Sequence, residues 1–172
     1  MKPIMVVFCN LFLLAQASQL KAQSWRKFAP LNTTRADVET VLGSGGEGYE
    51  VAYQLTDGKL SIEYSSGPCT SERKGGWNVP KDVVISLHFS PEHPKRVSEL
   101  KLNSRKYRKV VGKHLPSVTY YINKEDGIVY AIQMGKVDWV EYGPAKKDDD
   151  LRCKDQAVYY MSYPSLVLLH GL

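Results

Sequence analysis

Few side chains in this sequence stand at spacings that could do chemistry. The four histidines are His88, His93, His114 and His170, and no two are placed at i, i+4 to share a zinc ion on one helix face. His88 alternates with Val84 and Ser86, opposite Val83, Ile85, Leu87 and Phe89, which puts it on the solvated face of a strand. The run Gly43-Ser44-Gly45-Gly46-Glu47-Gly48 has the letters of a dinucleotide fingerprint. That motif must follow a strand and open a helix so that the helix N-terminus meets the pyrophosphate. Here the order is reversed, and the run reads as a helix-to-strand loop. There is no Gly-x-Ser-x-Gly elbow, and the carboxylate pairs Glu47/Glu50 and Glu125/Asp126 stand at turns, where they solvate the chain and bond its amides. Asp148, Asp149 and Asp150 read as part of a solvated loop from Pro144 to Arg152. No catalytic, metal-ligating or cofactor-binding set is expected. Catalytic carboxylates leave no local motif, so a small hydrolase using scattered carboxylates stands as the alternative.

Binding chemistry is better represented. Asn103 to Gly112 puts Tyr107, Val110 and Val111 at helical spacing and is expected to form a second short helix, basic through Lys101, Arg105, Lys106, Arg108, Lys109 and Lys113. Such a face is either simply solvated or a patch for anionic lipid headgroups, phosphorylated envelope polymer or an acidic protein surface. Trp77, in a Gly-rich approach to a strand, could anchor an interface, whereas Trp139, beside Val137, Val140 and Tyr142, reads as core. The candidate binding residues are therefore Trp77, Arg105, Lys106, Arg108 and Lys109.

These residues must be carried by an exported domain. Lys2 precedes an apolar stretch from Pro3 to Ala15, too short for a span of roughly 20 residues, and Ala15-Gln16-Ala17 offers a cleavage site. Residues 1–17 read as a signal peptide, and 18–172 as one domain without a stable membrane span. Removing Lys2 leaves 22 basic and 18 acidic residues, a net charge of +4, which favours anionic partners weakly and is no signature of nucleic-acid binding. Cys9 leaves with the signal. Cys69 and Cys153 remain in a chain bound for an oxidising compartment, periplasmic or extracellular, and are expected to pair as a disulfide, with two free thiols as the alternative.

The elements follow from periodicity. Thr34 to Gly43 sets Val38, Val41 and Leu42 on one stripe of a short helix, with Thr34 and Asp37 in a near capping box and Gly43 as the stop. The sequon Asn32-Thr33-Thr34 reads as that helix's N-terminus. Alternating runs predict strands over Tyr49 to Leu55, Lys59 to Ser65 and Asp82 to Phe89, and again over Val118 to Ile122, Ile128 to Gln133 and Lys136 to Tyr142. Turns are expected at Asp57-Gly58, Asp126-Gly127 and Gly135. The fold class expected is α+β, two αβββ repeats of about 31–90 and 98–153, with an antiparallel sheet packed against short helices and an apolar tail over 154–172. The triplets Ile62-Glu63-Tyr64 and Val140-Glu141-Tyr142 add to the likeness of the halves.

The stretch from Leu31 to Gly43, with its Asn32-Thr33-Thr34-Arg35-Ala36-Asp37-Val38 core, resembles the helical motif of the SmpA/OmlA (BamE-like) exported bacterial proteins. Its doubling is similar to the tandem repeat of β-lactamase inhibitory protein. Together with Tyr64, Gly67-Pro68-Cys69 and Trp77-Asn78-Val79-Pro80, the chain from about Trp25 to Cys153 resembles a group of uncharacterised bacterial exported proteins. The resemblance implies an envelope or secreted protein with a non-enzymatic binding fold but brings no known ligand. The partner expected from the residues themselves is an unknown protein or an anionic envelope component. BamE-like proteins are lipid-anchored and carry one such unit, so a role in outer-membrane assembly does not transfer.

Overall fold

The computed structural model describes residues 25–70, 75–113 and 115–153. The expected signal peptide and cleavage site, Cys9, His114, His170 and the tail over 154–172 lie outside them. One α-helix, α1 (Arg35–Leu42), precedes strands β1 (Glu50–Leu55), β2 (Gly58–Tyr64) and β3 (Val84–Pro91). Strands β4 (Arg108–Val111), β5 (Val118–Asn123), β6 (Ile128–Gln133) and β7 (Lys136–Tyr142) complete one antiparallel sheet in the order β1-β2-β3-β7-β6-β5-β4. The coarse expectation of an α+β domain holds, with the sheet dominant. Among the described residues no helix is long and apolar enough to cross a membrane.

The helix begins as its residues dictate. Thr34 is the N-cap, its side chain accepts the Asp37 amide, and the Asp37 carboxylate accepts the Thr34 amide at 2.9 Å. Gly43 ends it at φ 87°, a left-handed conformation glycine adopts without strain, and donates its amide to Glu39. The helix buries Val38 against Leu60, Ile62, Leu87 and Val84, while Phe28 and Leu42 pack on the margin. Full burial of side chains of this size stabilises by about 1.5–3 kcal/mol each.

Each half supplies a three-strand meander, β1-β2-β3 and β5-β6-β7. The two join through β3 and β7, where Leu87, His88 and Phe89 face Tyr142, Glu141 and Val140. A second apolar cluster, formed by Val118, Tyr120, Ile122 and Ala131 with Trp139 beside it, belongs to the later meander. Its register decides which face it occupies. Val140, in the helix-side cluster, faces Tyr130, while the next row along runs Trp139–Ala131–Tyr120. Adjacent rows point to opposite faces, so the second cluster lies on the face away from α1.

Three expectations are corrected. Asn103 to Gly112 is not a helix. Asn103 closes a turn, its Oδ1 accepting the Arg105 amide and its carbonyl the Lys106 and Tyr107 amides, and the chain then extends as β4 along β5. A helix here would stack Arg105 over Arg108 and Lys109, like charges at i+3 and i+4, while the β-branched Val110 and Val111 suit a strand. Only the first half is therefore αβββ. The triplets around Glu63 and Glu141 are not equivalent either, since β2 is the middle strand of its meander and β7 the last of the other. Finally, the alternation in β3 is broken. Glu63 faces Ser86 and Tyr64 faces Val84, leaving Ile85 as the extra residue of a bulge. Val84 thereby joins Leu87 in the helix-side core, and Val83 and Ile85 pack with Leu31 and Val79 in a third cluster.

Cys69 and Cys153 form a disulfide with Cα atoms 5.8 Å apart, so the free-thiol alternative is set aside. The bridge ties the loop after β2 to the segment after β7, and the Cys153 amide donates to the Gly76 carbonyl.

Candidate functional site

The expected binding residues separate into two places. Trp77 belongs to the disulfide corner. It bridges to Arg152, packs against Leu31, Val79 and Val83, and lies under the Arg152 guanidinium, 4.2 Å from its ring centroid. Trp77 is thus half-buried and engaged within the fold. Arg105, Lys106, Arg108 and Lys109 follow one another on the turn before β4 and on β4 itself, and all four are exposed. Arg108 pairs with Ile122 and Lys109 with Tyr121, however, so these two point to opposite faces of the sheet. Strand β4 is an edge of the sheet, with β5 its neighbour on one side and no described strand on the other. Cations on such an edge discourage unwanted strand pairing and offer charge to an acidic partner.

The basic residues are not equal. Lys106 lies 3.6 Å from the Asp126 carboxylate, and Lys146 holds Glu125 at 2.9 Å, so the β5-β6 turn carries acids already matched by lysines. Asp126 is further fixed by the Asn123 side-chain amide at 2.7 Å, and Asn123 is buried. Lys109 instead points onto the helix-side face beyond the reach of α1. There Ser117, Thr119, Tyr121, Ile132 and Met134 join it around an open cleft of about 300 Å³. Tyr107 packs on Tyr130, ring centroids 5.9 Å apart, anchoring the basic turn to the sheet. Burial pushes the Tyr130 phenol up to about 12.

A second cluster sits on the opposite face, at the junction of the meanders. Glu63 of β2 accepts the Ser86 hydroxyl of β3 at 3.0 Å, and Glu141 of β7 faces His88 across the ladder. His88 also lies against Trp139, ring centroids 4.6 Å apart, so it is half-buried in an aromatic contact where a solvated position was expected. Burial pushes the Glu141 carboxyl above the usual glutamate value, and the neighbouring Glu63 carboxylate pushes the same way. Both causes disfavour the charged form of the Glu141 carboxyl. The sequence reading passed over Glu63 and Glu141 as a pair. Their triplets are visible in the sequence, but their proximity depends on strand order, which periodicity does not encode.

The Gly43 to Gly48 loop leads from α1 into β1. Arg35 bridges it to the body of the domain, donating to Gly48 O at 2.5 Å and Gly46 O at 3.4 Å while pairing with Asp82 at 3.0 Å. The same guanidinium lies over the Tyr64 ring, 4.0 Å from its centroid. A side chain at Gly45 would overlap Val51 and Tyr53, so glycine there serves close packing. The aspartate run folds as a 3-10 turn over Lys146–Leu151 in which Asp148 accepts the Ala145 amide and Asp149 pairs with Arg152. Among the described residues, no three His, Cys, Asp or Glu side chains converge as metal ligands. Comparison with protein families, with curated proteins and with solved structures found no match to this chain.

Proposed function

We propose that this chain is an exported, non-enzymatic domain that binds an anionic macromolecular partner through the basic β4 edge and the open sheet face beside it. The observation that carries this reading is the placement of Lys109. It stands exposed on an edge strand, at the mouth of a cleft lined by three hydroxyl side chains, while the nearby lysines that have acidic neighbours are already matched to them. Export rests on the signal-like residues 1–17 and on a disulfide that an oxidising compartment would preserve. The likeness to the BamE-like and β-lactamase-inhibitory-protein-like tandem folds rests on the sequence from Leu31 to Gly43. Among the described residues the later half has a 3-10 turn over Val97–Leu100 and no α-helix before β5, which counts against a strict αβββ duplication.

The test is retention on an immobilised acidic polymer such as polyglutamate across a salt series. Attraction through Arg105, Lys109 and Lys113 should weaken steeply above about 0.15 M salt, where the Debye length is roughly 8 Å. Lys109→Glu should lower retention further at low salt. Retention indifferent to both changes would reject the reading.

A hydrolase is the second reading, favoured by one observation, the raised Glu141 carboxyl beside Glu63. Turnover of a glycoside, ester or peptide substrate that disappears in Glu141→Gln would establish it.

A further inference from the structure

The two ends of the later meander differ in what they expose. At the β5-β6 end, Glu125 and Asp126 are matched by Lys146 and Lys106. At the other end, the β4-β5 and β6-β7 turns lie side by side, because Gly112 and Val118 close one hairpin and Gln133 and Lys136 the other. The segment over 95–97 joins them, Val97 donating to Gly135 O and Val137 donating to Lys95 O. Lys95, Arg96, Lys109, Lys113 and Lys136 are all exposed here. The carboxylate among them, Glu99, accepts the Arg96 amide, and Asp138 lies toward Tyr120 of the other face.

Large apolar side chains stand among these cations. Met134 is 92% exposed, Val111 58% and Leu115 44%. Met134 is also an odd choice for its turn. It holds φ 50° beside Gly135 at φ 75°, the paired left-handed conformation of a tight hairpin, where asparagine or glycine is the unstrained residue. Neither the turn nor the core requires an apolar side chain there.

We propose that this end of the sheet docks on an anionic lipid bilayer, the Met134 and Leu115 tips entering the headgroup layer and the surrounding cations meeting lipid phosphates. The inference rests on the anionic-partner reading and names its class. Apolar groups on two projecting tips fit a deformable layer better than a flat or concave protein surface, and an encircling ring of lysine and arginine is what an anionic leaflet attracts. The cleft behind the tips suits one phosphodiester headgroup, with Lys109 Nζ and the Ser117, Thr119 and Tyr121 hydroxyls as donors and Ile132 and Met134 as its apolar wall. Each cation brought to such a surface is expected to raise binding about fivefold.

The test is flotation of the full chain with phosphatidylcholine vesicles containing about 30% phosphatidylglycerol, against vesicles of phosphatidylcholine alone, which control for apolar association through any other segment. At least tenfold stronger binding to the anionic vesicles is expected. The double change Met134→Asp with Leu115→Asp should remove that preference, and Met134→Leu should retain it. Both tips are exposed, so an unchanged melting temperature will show that the variants fold. Equal binding to the two vesicle types, or a double variant that binds like the parent, overturns the inference. If polyglutamate is still retained in a salt-sensitive way while anionic vesicles are not, the basic-edge reading stands and the lipid surface falls. Loss of both rejects both.

Discussion

The two meanders share the helix-side core at their junction, where Val140, Tyr130 and Tyr142 join the cluster beneath α1, and the later one buries a second cluster on the opposite face. In β1-β2-β3 the side chains Val51, Tyr53, Leu60, Ile62 and Tyr64 turn toward α1, and the other face carries Lys59, Ser61, Glu63 and His88. In β5-β6-β7 the apolar row turns the other way, through Tyr120, Ala131 and Trp139, and the helix side carries Thr119, Tyr121 and the Lys109 cleft. The difference follows from what stands before each meander. The first has a capped helix to shield one face. The second is preceded by a 3-10 turn over Val97–Leu100, whose Val97 lines the Lys109 cleft, then by the Asn103 turn and a basic edge strand, which leave that cleft uncovered. A helix of eight residues thus covers one face of its meander, while the matching face of the later meander carries the open cleft beside Lys109.

The largest test of this contrast compares one core position from each half. Ile62→Ala, at a site with no exposure beneath α1, should cost about 3–5 kcal/mol of unfolding free energy. Ile122→Ala, on the face without a helix, should cost about 2 kcal/mol, because that site can collapse more readily. Chemical denaturation of the two variants decides it, and equal losses would mean that the faces are equally closed. Next comes the disulfide that links the halves across 84 positions. Cys69→Ser with Cys153→Ser should lower stability by about 2–4 kcal/mol under oxidising conditions and by nothing under reducing ones. Smaller again is the cap. Thr34→Ala should cost about 1 kcal/mol, and Thr34→Gly less, by loss of the Asp37 amide bond that starts α1.

Much of this was legible in the sequence, for reasons that differ by residue. The helix could be read from Thr34, Asp37, Val38 and Gly43 because caps and stripes act within one or two turns of chain. Six strands could be read because alternation and turn residues are equally local. The basic segment misled because Tyr107, Val110 and Val111 satisfy helical spacing, while the vacant edge of β5 that draws them into a strand lies in another part of the chain. The same limit hid both sites. The Lys109 cleft needs β4, β5 and β6 side by side, and the Glu63 and Glu141 pair needs β2 and β7 on either side of β3, a neighbour relation that only the strand order creates.

That pair supplies the last and smallest test, on the polar face of the junction. Burial, seconded by Glu63, raises the Glu141 carboxyl in the folded chain above its value of 4.5 when unperturbed. The folded state therefore holds this proton more tightly than the unfolded state. Its contribution to stability is complete below pH 4.5 and is lost as pH climbs through the raised folded value. Glu141→Gln keeps the shape and removes the titration. The melting temperature of the parent should fall relative to that of the variant as pH rises from 4 toward 7, with the variant the more stable at neutral pH. Ser86→Ala, which removes the hydroxyl bonded to Glu63, leaves Glu141 its burial and should preserve the slope. A parent and a Glu141→Gln variant with parallel profiles would mean that the carboxylate is solvated, and that the junction face is as open as the Lys109 cleft.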